Sequence, residues 1–133
     1  MAFTPAELEY LSSQPLGRLA TYGADGVVQV NPVAVFPQDD GSIVIGGYRM
    51  AGTRKFRNVA ATGRAAVVVD DLVSRDPWTV RGIEVRGPAE ATTVDEPPMA
   101  GMTLDVIRIR PEAVFSWGID AGSPGVTRRF GTD

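Results

Sequence analysis

The sequence contains no cysteine and no histidine among its 133 residues. Without cysteine the chain has no disulfide, no thiolate metal ligand and no thiol nucleophile. Without histidine it lacks the commonest general base and metal ligand, which excludes Ser-His-Asp hydrolases and zinc-dependent hydrolases and deaminases. We therefore predict no metal site, and an enzyme of this composition would depend on a bound organic cofactor for its chemistry.

Long apolar runs and a strong net charge are also missing. No apolar run is long enough to span a bilayer, and acidic residues near the start replace the basic and apolar regions of a signal peptide. The net charge of −3 predicts no general attraction to nucleic acid or to membranes. We expect a cytoplasmic protein that binds neither.

The composition is uniform, 44% hydrophobic, with 15 glycines and ten prolines. It predicts a single domain rich in turns and strands. The hydrophobic pattern indicates two helices, capped by Thr4 and Thr53, and about seven strands. The strands are predicted at residues 17–22, 27–36, 43–47, 65–69 (buried on both faces), 80–91, 104–109 and 113–117. Asp70-Asp71 is expected to end the fourth strand, with a loop from Leu72 to Trp78.

These elements show no internal repeat and no alternation of strand and helix, so we predict a mainly β (α+β) fold. Its expected form is a small closed or split β-barrel with short flanking helices. Residues 1–120 would form the domain and residues 121–133 a flexible C-terminal tail. Rows of valine leave apolar surface to spare, which predicts a homodimer with a ligand cleft at the subunit interface.

The most unusual stretch is the start of the second helix. Arg54, Lys55 and Arg57 crowd the first turn, where the helix dipole disfavours cations by roughly 0.3–1 kcal/mol each. No acidic residue occurs between Asp40 and Asp70 to neutralise them. Small residues just before the helix would let a ligand approach the backbone; they are Gly46, Gly47, Ala51 and Gly52. The pattern predicts a phosphate site, and the alternative is a surface helix with solvated basic side chains.

Asn31-Pro32 interrupts the second predicted strand. Proline removes a ladder donor and is tolerated at a strand edge or bulge. Two interpretations remain open: a plain edge strand, or a place where a flat ligand lies against the backbone.

The run IGGYRMAGTRK resembles the phosphate-binding segment of the pyridoxamine 5′-phosphate oxidase superfamily, in which Ser-Arg-Lys follows an aromatic strand. The segments GRLAT, QVNP and VRGIEVRG occur in the order found in that family. Together, TRKFRNV, VVVDDL, DPW, RGIEVRG and SWGID are similar to the actinobacterial branch of deazaflavin-dependent enzymes. The resemblance covers Phe3 to Asp120, and its specificity lies in the joint order of the motifs.

The resemblance implies a split β-barrel homodimer, like the FMN-binding proteins, that holds coenzyme F420 or, alternatively, FMN between its subunits. The implied cofactor-binding residues are Thr53, Arg54 and Lys55 at the phosphate; Asn31, Pro32, Val33, Ile45, Gly46 and Gly47 along the ring system; and Trp78 and Arg81 from the partner subunit. For Trp78 the alternative is hydrophobic packing, which is also the role we expect for Trp117.

Two departures separate the chain from true pyridoxamine phosphate oxidases. Gly82 stands where the oxidase pattern has Gln, and the substrate-reading C-terminal segment with Arg and His is missing. A shorter site with an open ring face fits a reductase better than a vitamin B6 oxidase. The resulting hypothesis is an oxidoreductase that transfers hydride between reduced coenzyme F420, or FMN, and an electron-poor small organic substrate.

The sequence identifies no catalytic side chain. Tyr48 is a candidate proton donor, core packing is its more ordinary use, and solvent is another proton source. An alternative function is a non-catalytic carrier of flavin, deazaflavin or haem. An oligonucleotide-binding barrel is disfavoured because the chain is acidic and has only ten aromatic residues, namely five Phe, three Tyr and two Trp.

Overall fold

A computed structural model of the protein describes residues 3–119 and 126–131. The helices are α1 (Pro5–Ser13) and α2 (Arg54–Thr62), and a single 3₁₀ turn (Met50–Gly52) precedes α2. The strands are β1 (Leu16–Tyr22), β2 (Val28–Pro37), β3 (Ile43–Gly46), β4 (Arg64–Arg75), β5 (Trp78–Thr93), β6 (Asp105–Ile109), β7 (Ala113–Trp117) and β8 (Val126–Phe130). No helix in the described part of the chain has the length and apolar character needed to cross a membrane.

Six strands close a barrel in the order β4-β1-β2-β3-β6-β5, with β4 pairing back onto β5. Every neighbouring pair in this barrel is antiparallel. The strand β7 pairs with β5 outside this closure, and β8 continues the sheet beyond β7. The predicted mainly β, split-barrel class with short flanking helices is confirmed.

Both predicted helices begin at the expected caps. Thr4 and Glu7 form a reciprocal capping box, with the Thr4 N–H donating to Glu7 Oε1 at 2.9 Å and the Glu7 N–H donating to Thr4 Oγ1 at 3.2 Å. Thr53 caps α2, which ends before Gly63 in the left-handed conformation. Local sequence chemistry was therefore sufficient to place both helices.

The barrel interior is filled by alternate residues of the strands. The buried aliphatic side chains include Leu19, Val33, Val35, Ile43, Ile45, Val67, Val69, Ile83, Val85, Ile107 and Ile109. In β4 only alternate residues face inward, while Ala66 and Val68 between them are half-buried. The expectation of a strand buried on both faces was therefore wrong, because one face of β4 lies on the outside of the barrel.

The largest correction to the predicted elements concerns the β4–β5 hairpin. Asp70-Asp71 does not end β4, which continues to Arg75 before a tight turn at Asp76-Pro77 leads directly into β5. The predicted loop from Leu72 to Trp78 is mostly strand. The two acids fit within a strand because the partners of their carboxylates, Arg18 and Arg81, lie on neighbouring strands.

The C-terminal segment differs from the predicted flexible tail where it can be described. Val126–Phe130 forms β8, which pairs antiparallel with β7, so the described residues contain eight strands and not seven. Arg129 of β8 also donates a hydrogen bond to the fully buried Glu7 of α1. This ion pair joins the two ends of the described chain. The rest of the predicted tail, residues 121–125, 132 and 133, lies outside the described residues.

Candidate functional site

A cleft of about 230 Å³ opens where β2 and β3 separate. Pairing of β3 with β2 runs from Ala34 to Pro37, so residues 31–33 of β2 have β1 on one side and no strand on the other. Pro32 therefore needs no ladder partner on the open side. The edge-strand interpretation of the Asn31-Pro32 interruption describes this geometry, and the locally unpaired edge is also a wall of the cleft. Contact between this edge and a flat ligand stays a prediction.

The cleft brings together six of the eleven residues predicted to bind the cofactor. They are Pro32, Val33, Gly46, Gly47, Thr53 and Lys55. The rest of its lining consists of Ala34, Tyr48, Arg49, Met50 and Met102. The five predicted residues that do not line it are Asn31, Ile45, Arg54, Trp78 and Arg81, and the structure shows why for most of them.

Ile45 is fully buried and pairs with Ile107 across β3 and β6, so its side chain belongs to the barrel core. Asn31 is half-buried, and its carboxamide oxygen is buried with no hydrogen-bond partner among the described residues. A buried acceptor left without a donor costs about 1–3 kcal/mol, so this oxygen is a position where a ligand donor would be stabilising. Arg54 lies on the exposed face of α2, outside the cleft.

The start of α2 is built by Thr53 and Met50. The Thr53 hydroxyl accepts from the Phe56 N–H at 3.3 Å and donates to the Met50 carbonyl at 2.7 Å. The Thr53 N–H donates to the same carbonyl at 3.0 Å. Both donors of Thr53 are thus occupied by the turn, and its contact with a phosphate stays a prediction. What Thr53 does here is hold the turn that presents Lys55 to the cleft.

The body of α2 is anchored to the barrel by a buried amide. Asn58 is 7% exposed, and its side-chain N–H donates to Thr21 Oγ1 on β1 at 3.1 Å. Thr62 near the end of α2 donates to the Tyr22 carbonyl at 3.1 Å. These two contacts fix α2 along β1, and with it the position of Lys55 at the cleft.

Most of the described basic residues that lack an acidic partner lie near the cleft. Seven arginines form ion pairs; they are Arg18, Arg64, Arg81, Arg86, Arg108, Arg110 and Arg129. Six basic residues pair with no acid of the described chain, and four of them, Arg49, Arg54, Lys55 and Arg57, lie within nine residues. The guanidinium of Arg57 donates to the Gly52 carbonyl at 3.1 Å, which leaves Arg49 and Lys55 as the charged groups lining the cleft.

Trp78 and Arg81 lie on the β4–β5 hairpin, away from this cleft. Trp78 is 71% exposed at the tip of the hairpin, so within the subunit it is not packed in a core. Arg81 donates to both carboxylate oxygens of Asp71, at 2.8 and 3.3 Å, and its guanidinium lies 5.0 Å from the centre of the Tyr10 ring. The assignment of these two residues to a partner subunit's site stays a prediction.

The pKa values in this second cluster follow from its hydrogen bonds. The hydrogen bond from Arg81 holds the pKa of Asp71 below its ordinary value. Burial raises the pKa of the Tyr10 hydroxyl, and its 2.6 Å hydrogen bond to the Asp71 carboxylate raises it further. The charges of Asp71 and Arg81 are therefore paired with each other within one subunit.

Sequence reasoning missed four of the residues that line the cleft, namely Ala34, Arg49, Met50 and Met102. Arg49 stands in the same acid-free stretch as Lys55, and that signal could have found it. Met50 is fully buried under the 3₁₀ turn, and Met102 comes from the segment between β5 and β6. Nothing local in the sequence connects Met102 to the cleft, since it lies more than forty residues from the other lining residues. Tyr48, for which core packing was the more ordinary expectation, is 60% exposed.

The chain is similar in sequence to one protein family and to a named reductase. The family model described as pyridoxamine 5′-phosphate oxidase matches residues 3–118. A reductase from Streptomyces rimosus, named 5a,11a-dehydrotetracycline/5a,11a-dehydrooxytetracycline reductase, is 42% identical over 132 residues. That match covers 97% of this chain and 93% of the reductase.

Two solved structures from Mycobacterium smegmatis share the fold. A haem-binding protein superposes with a TM-score of 0.69 at 19% identity, covering 97% of this chain, which spans 59% of that longer protein. An FAD-binding protein superposes with a TM-score of 0.61 at 19% identity, covering 84% of this chain and 92% of its own. At this identity the two structures indicate a common fold only.

Proposed function

The chain belongs to the pyridoxamine 5′-phosphate oxidase family, and on that premise we propose that it is an oxidoreductase that uses a flavin-type cofactor. The finer form of the proposal is hydride transfer from reduced coenzyme F420, with FMN as the alternative cofactor, to an electron-poor organic substrate. The observation that carries it is the cleft at the start of α2, where Lys55 and Arg49 have no acidic partner. The 42% identical reductase supports the reaction class.

The cationic end of the cleft is the proposed phosphate site. An unpaired lysine and arginine beside a helix N-terminus offer charge-assisted hydrogen bonds, and the helix dipole also favours an anion there. Lys55 is the principal contact, since it is half-buried and held by a capped, anchored helix. Arg54, exposed outside the cleft, adds only long-range attraction that solvent and salt screen.

The ring system is proposed to lie along the open edge of β2 and the end of β3. Gly46 lies at this end of the cleft, where an added Cβ would lie 2.9 Å from Met102 Sδ and 3.2 Å from Phe36 Cε2, so glycine is what allows Met102 to pack against the end of β3. The orphaned carboxamide oxygen of Asn31 is an acceptor for a ring N–H. The bound cofactor would supply the two-electron chemistry, and the chain would supply anchoring, orientation and exclusion of water.

We also propose a homodimer formed through the outer face of β1, β2 and β4. The exposed fractions of Val28, Val30 and Tyr22 on this face are 74%, 64% and 39%. Tyr22 and Val28, together with Ala20 and Ala66, line a largely apolar groove of about 560 Å³, and Val30 pairs with Ala20 beside it. An apolar patch of this kind on a soluble protein marks an interaction surface. Sedimentation equilibrium of wild type and Val30→Asp checks this, with a dimer expected for the first and a monomer for the second.

Cofactor titration followed by turnover tests the proposed function. The expected result is saturable binding of coenzyme F420 or FMN, followed by oxidation of the reduced cofactor when 5a,11a-dehydrooxytetracycline or menadione is added. The first substrate is chosen from the name of the reductase relative, and the second is a general hydride acceptor. Binding with no oxidation by either acceptor would indicate a carrier, and absence of binding would reject the whole proposal.

A further inference from the structure

The sheet has an open end at β8. In the strand order the sheet finishes with β7 and β8, and β8 pairs with β7 alone, so its other edge has no neighbouring strand in the described part of the chain. The strand lies outside the six-stranded closure of the barrel, which leaves this edge uncovered. An open strand edge carries unpaired backbone N–H and C=O groups, and these can pair with a further strand.

The ladder between β7 and β8 shows which backbone groups face the open side. The Gly131 N–H donates to the Glu112 carbonyl at 2.6 Å, so these two residues form a hydrogen-bonded pair that continues the register of the ladder. Hydrogen-bonded and non-hydrogen-bonded pairs alternate along an antiparallel ladder. The odd-numbered residues of β8 therefore direct their N–H and C=O groups towards β7. The even-numbered residues, Val126, Arg128 and Phe130, direct theirs towards the open side.

The side chains of the even-numbered residues lie on the exposed face of β8, since side chains alternate between the two faces of a strand. The exposed fractions of Val126 and Phe130 are 48% and 70%. The Phe130 ring is nevertheless held in place, because it packs edge-to-face against Phe115 with 5.5 Å between the ring centres. The open edge therefore presents two exposed apolar side chains, four residues apart, and one of them has a fixed orientation.

Arg128 lies between these two apolar residues and has no acidic partner among the residues that the structure describes. In the same cross-strand row, Arg128 pairs with Phe115 and Phe115 pairs with Glu84. Glu84 already accepts two hydrogen bonds from Arg86, at 2.7 and 3.0 Å. The acid in this row is thus occupied, and the charge of Arg128 is left unneutralised beside the open edge.

The strand is fixed from its other face. Arg129 donates a hydrogen bond to the Glu7 carboxylate of α1, and Glu7 is fully buried. Breaking this pair would leave a buried carboxylate without its cation, which is strongly destabilising. The β8 backbone is therefore held in its extended form before any partner arrives, so the entropy cost of pairing with it is small.

A second copy of this chain is a poor partner for the edge. Antiparallel pairing of two β8 strands that sets Val126 against Phe130 would place Arg128 directly opposite its own counterpart. Like charges directly opposite each other destabilise a strand pair. A strand that carries an acid at this position, between two apolar residues, has the complementary pattern.

We propose that the open edge of β8 is a docking site for an extended strand of a partner protein. In that strand an acidic residue lies opposite Arg128, and apolar residues two positions away on each side lie opposite Val126 and Phe130. Backbone hydrogen bonds to the outward N–H and C=O groups give the affinity, and the three side-chain contacts select the partner. The site is separate from the cofactor cleft, and it does not depend on the proposed function.

Hydrogen exchange of the free protein, followed by NMR, tests whether the edge is open. The amides of Val126, Arg128 and Phe130 should exchange as fast as exposed amides, whereas the Gly131 amide should be protected by its bond to β7. Protection of the three even-numbered amides that rises with protein concentration would mean that a second copy covers the edge. That result would overturn the proposal.

Two synthetic peptides serve as probes for binding. One has the order Val-Thr-Glu-Thr-Val, and the other has lysine in place of the central glutamate. In an NMR titration the glutamate peptide should shift the amide signals of Val126, Arg128 and Phe130 more than those of the odd-numbered residues of β8. Its Kd should be roughly three- to tenfold lower than that of the lysine peptide, because a cross-strand charge pair replaces a like-charge contact.

A matched pair of charge reversals assigns this preference to one side chain. Arg128→Glu should reverse the preference so that the lysine peptide binds more tightly, whereas Arg75→Glu, the same change of charge on the β4–β5 hairpin, should leave it as in wild type. Protection of the Gly131 amide in both variants verifies that β8 stays paired with β7. Binding of neither peptide by wild type, shifts confined to another part of the protein, or equal effects of the two reversals would overturn the proposal.

Discussion

Two crevices of nearly equal volume each contain an arginine, yet they differ in what surrounds the charge. In the cleft beside α2, about 230 Å³, Arg49 and Lys55 pair with no acid of the described chain. In the crevice beside α1, about 220 Å³, Arg81 is held by the Asp71 carboxylate and by the Tyr10 ring. Only the first crevice contains basic side chains that no carboxylate of the described chain neutralises, and these are available to an anionic ligand.

The difference shows that pairing, and not residue type, separates a binding site from a structural cluster. An arginine that already donates two hydrogen bonds to a carboxylate must lose them before it can bind another anion. A lysine on an anchored helix, with no acid nearby, gives up only its bound water when it binds an anion. The contrast predicts that removing Lys55 from the first crevice lowers cofactor affinity. Removing Arg81 from the second crevice should instead lower the free energy of unfolding.

The largest expected effect is that of Lys55→Ala on cofactor affinity. Removing a charged donor to a phosphate is expected to cost about 1.5–3 kcal/mol of binding free energy. Fluorescence titration with coenzyme F420 and FMN measures it for the preferred cofactor. Arg128→Ala is the matched control, because it removes the same charge from β8, and it should change the affinity little. Equal losses of cofactor affinity in the two variants would mean that Lys55 acts only through the net charge of the protein and does not contact the phosphate.

The next largest effect is a loss of folding stability at acidic pH, caused by the two ion pairs Asp71–Arg81 and Glu7–Arg129. The pKa of Asp71 is lowered chiefly by its hydrogen bond from Arg81. Burial raises the pKa of Glu7, but hydrogen bonds from Arg129, the Thr4 N–H and Ser116 outweigh it, so the net pKa is lowered. A lowered pKa in the folded state means that the unfolded chain takes up protons first, so this stability is complete above the ordinary carboxyl pKa and is lost as pH falls through the folded value.

Urea unfolding between about pH 7 and pH 3 measures this loss. Glu7→Gln removes one of the two titrating groups and should give a shallower dependence of unfolding free energy on pH. Asp71→Asn should do the same through the other cluster. A wild-type stability that stayed constant or rose on acidification would contradict the pairing described for both carboxylates.

A smaller effect is expected for Arg81→Ala. The pair with Asp71 is partly exposed, with side-chain exposed fractions of 40% and 27%, so solvent screening limits its loss to about 0.5–1 kcal/mol of unfolding free energy. Cofactor affinity should not change. Arg75→Ala, on the same hairpin but outside any ion pair of the described chain, is the control for unfolding. A large loss of cofactor affinity in Arg81→Ala would instead support the predicted contribution of Arg81 to a partner subunit's site.

The smallest effect is expected for Arg54→Ala. The residue adjoins Lys55 in sequence but is exposed outside the cleft, so screened attraction makes its removal cost less than about 0.5 kcal/mol of cofactor binding. Titration at low and moderate salt measures it, with any difference shrinking as salt rises. A loss as large as that of Lys55→Ala would mean that the two cations act together on one phosphate.

Much of the fold could be predicted because its signals are local. Thr4 with Glu7, and Thr53 with Gly63, place both helices through capping chemistry between residues close in sequence. The errors involve contacts between distant residues. Asp70-Asp71 resembled a strand end because their arginine partners lie on β1 and β5, and β8 was missed because Arg129 pairs with Glu7 at the other end of the chain.

The candidate site divides in the same way. The glycines after β3 and the start of α2 are close in sequence, so four of the six predicted lining residues, Gly46, Gly47, Thr53 and Lys55, come from one stretch, and Pro32 and Val33 join them from β2. Ile45 was included with Gly46 and Gly47 because the family resemblance implied it, although its fully buried side chain belongs to the barrel core. Met102 was not predicted because its place against Gly46 depends on how residues 94–104 cross the barrel.

The central claim is that a phosphorylated redox ring binds with its phosphate at Lys55. A crystal structure of the protein with coenzyme F420 or FMN tests it most directly. The account predicts a phosphate oxygen within about 3 Å of Lys55 Nζ and the ring along the open edge of β2. A phosphate bound beside Arg81, or a cofactor bound with Lys55 in solvent, would contradict it.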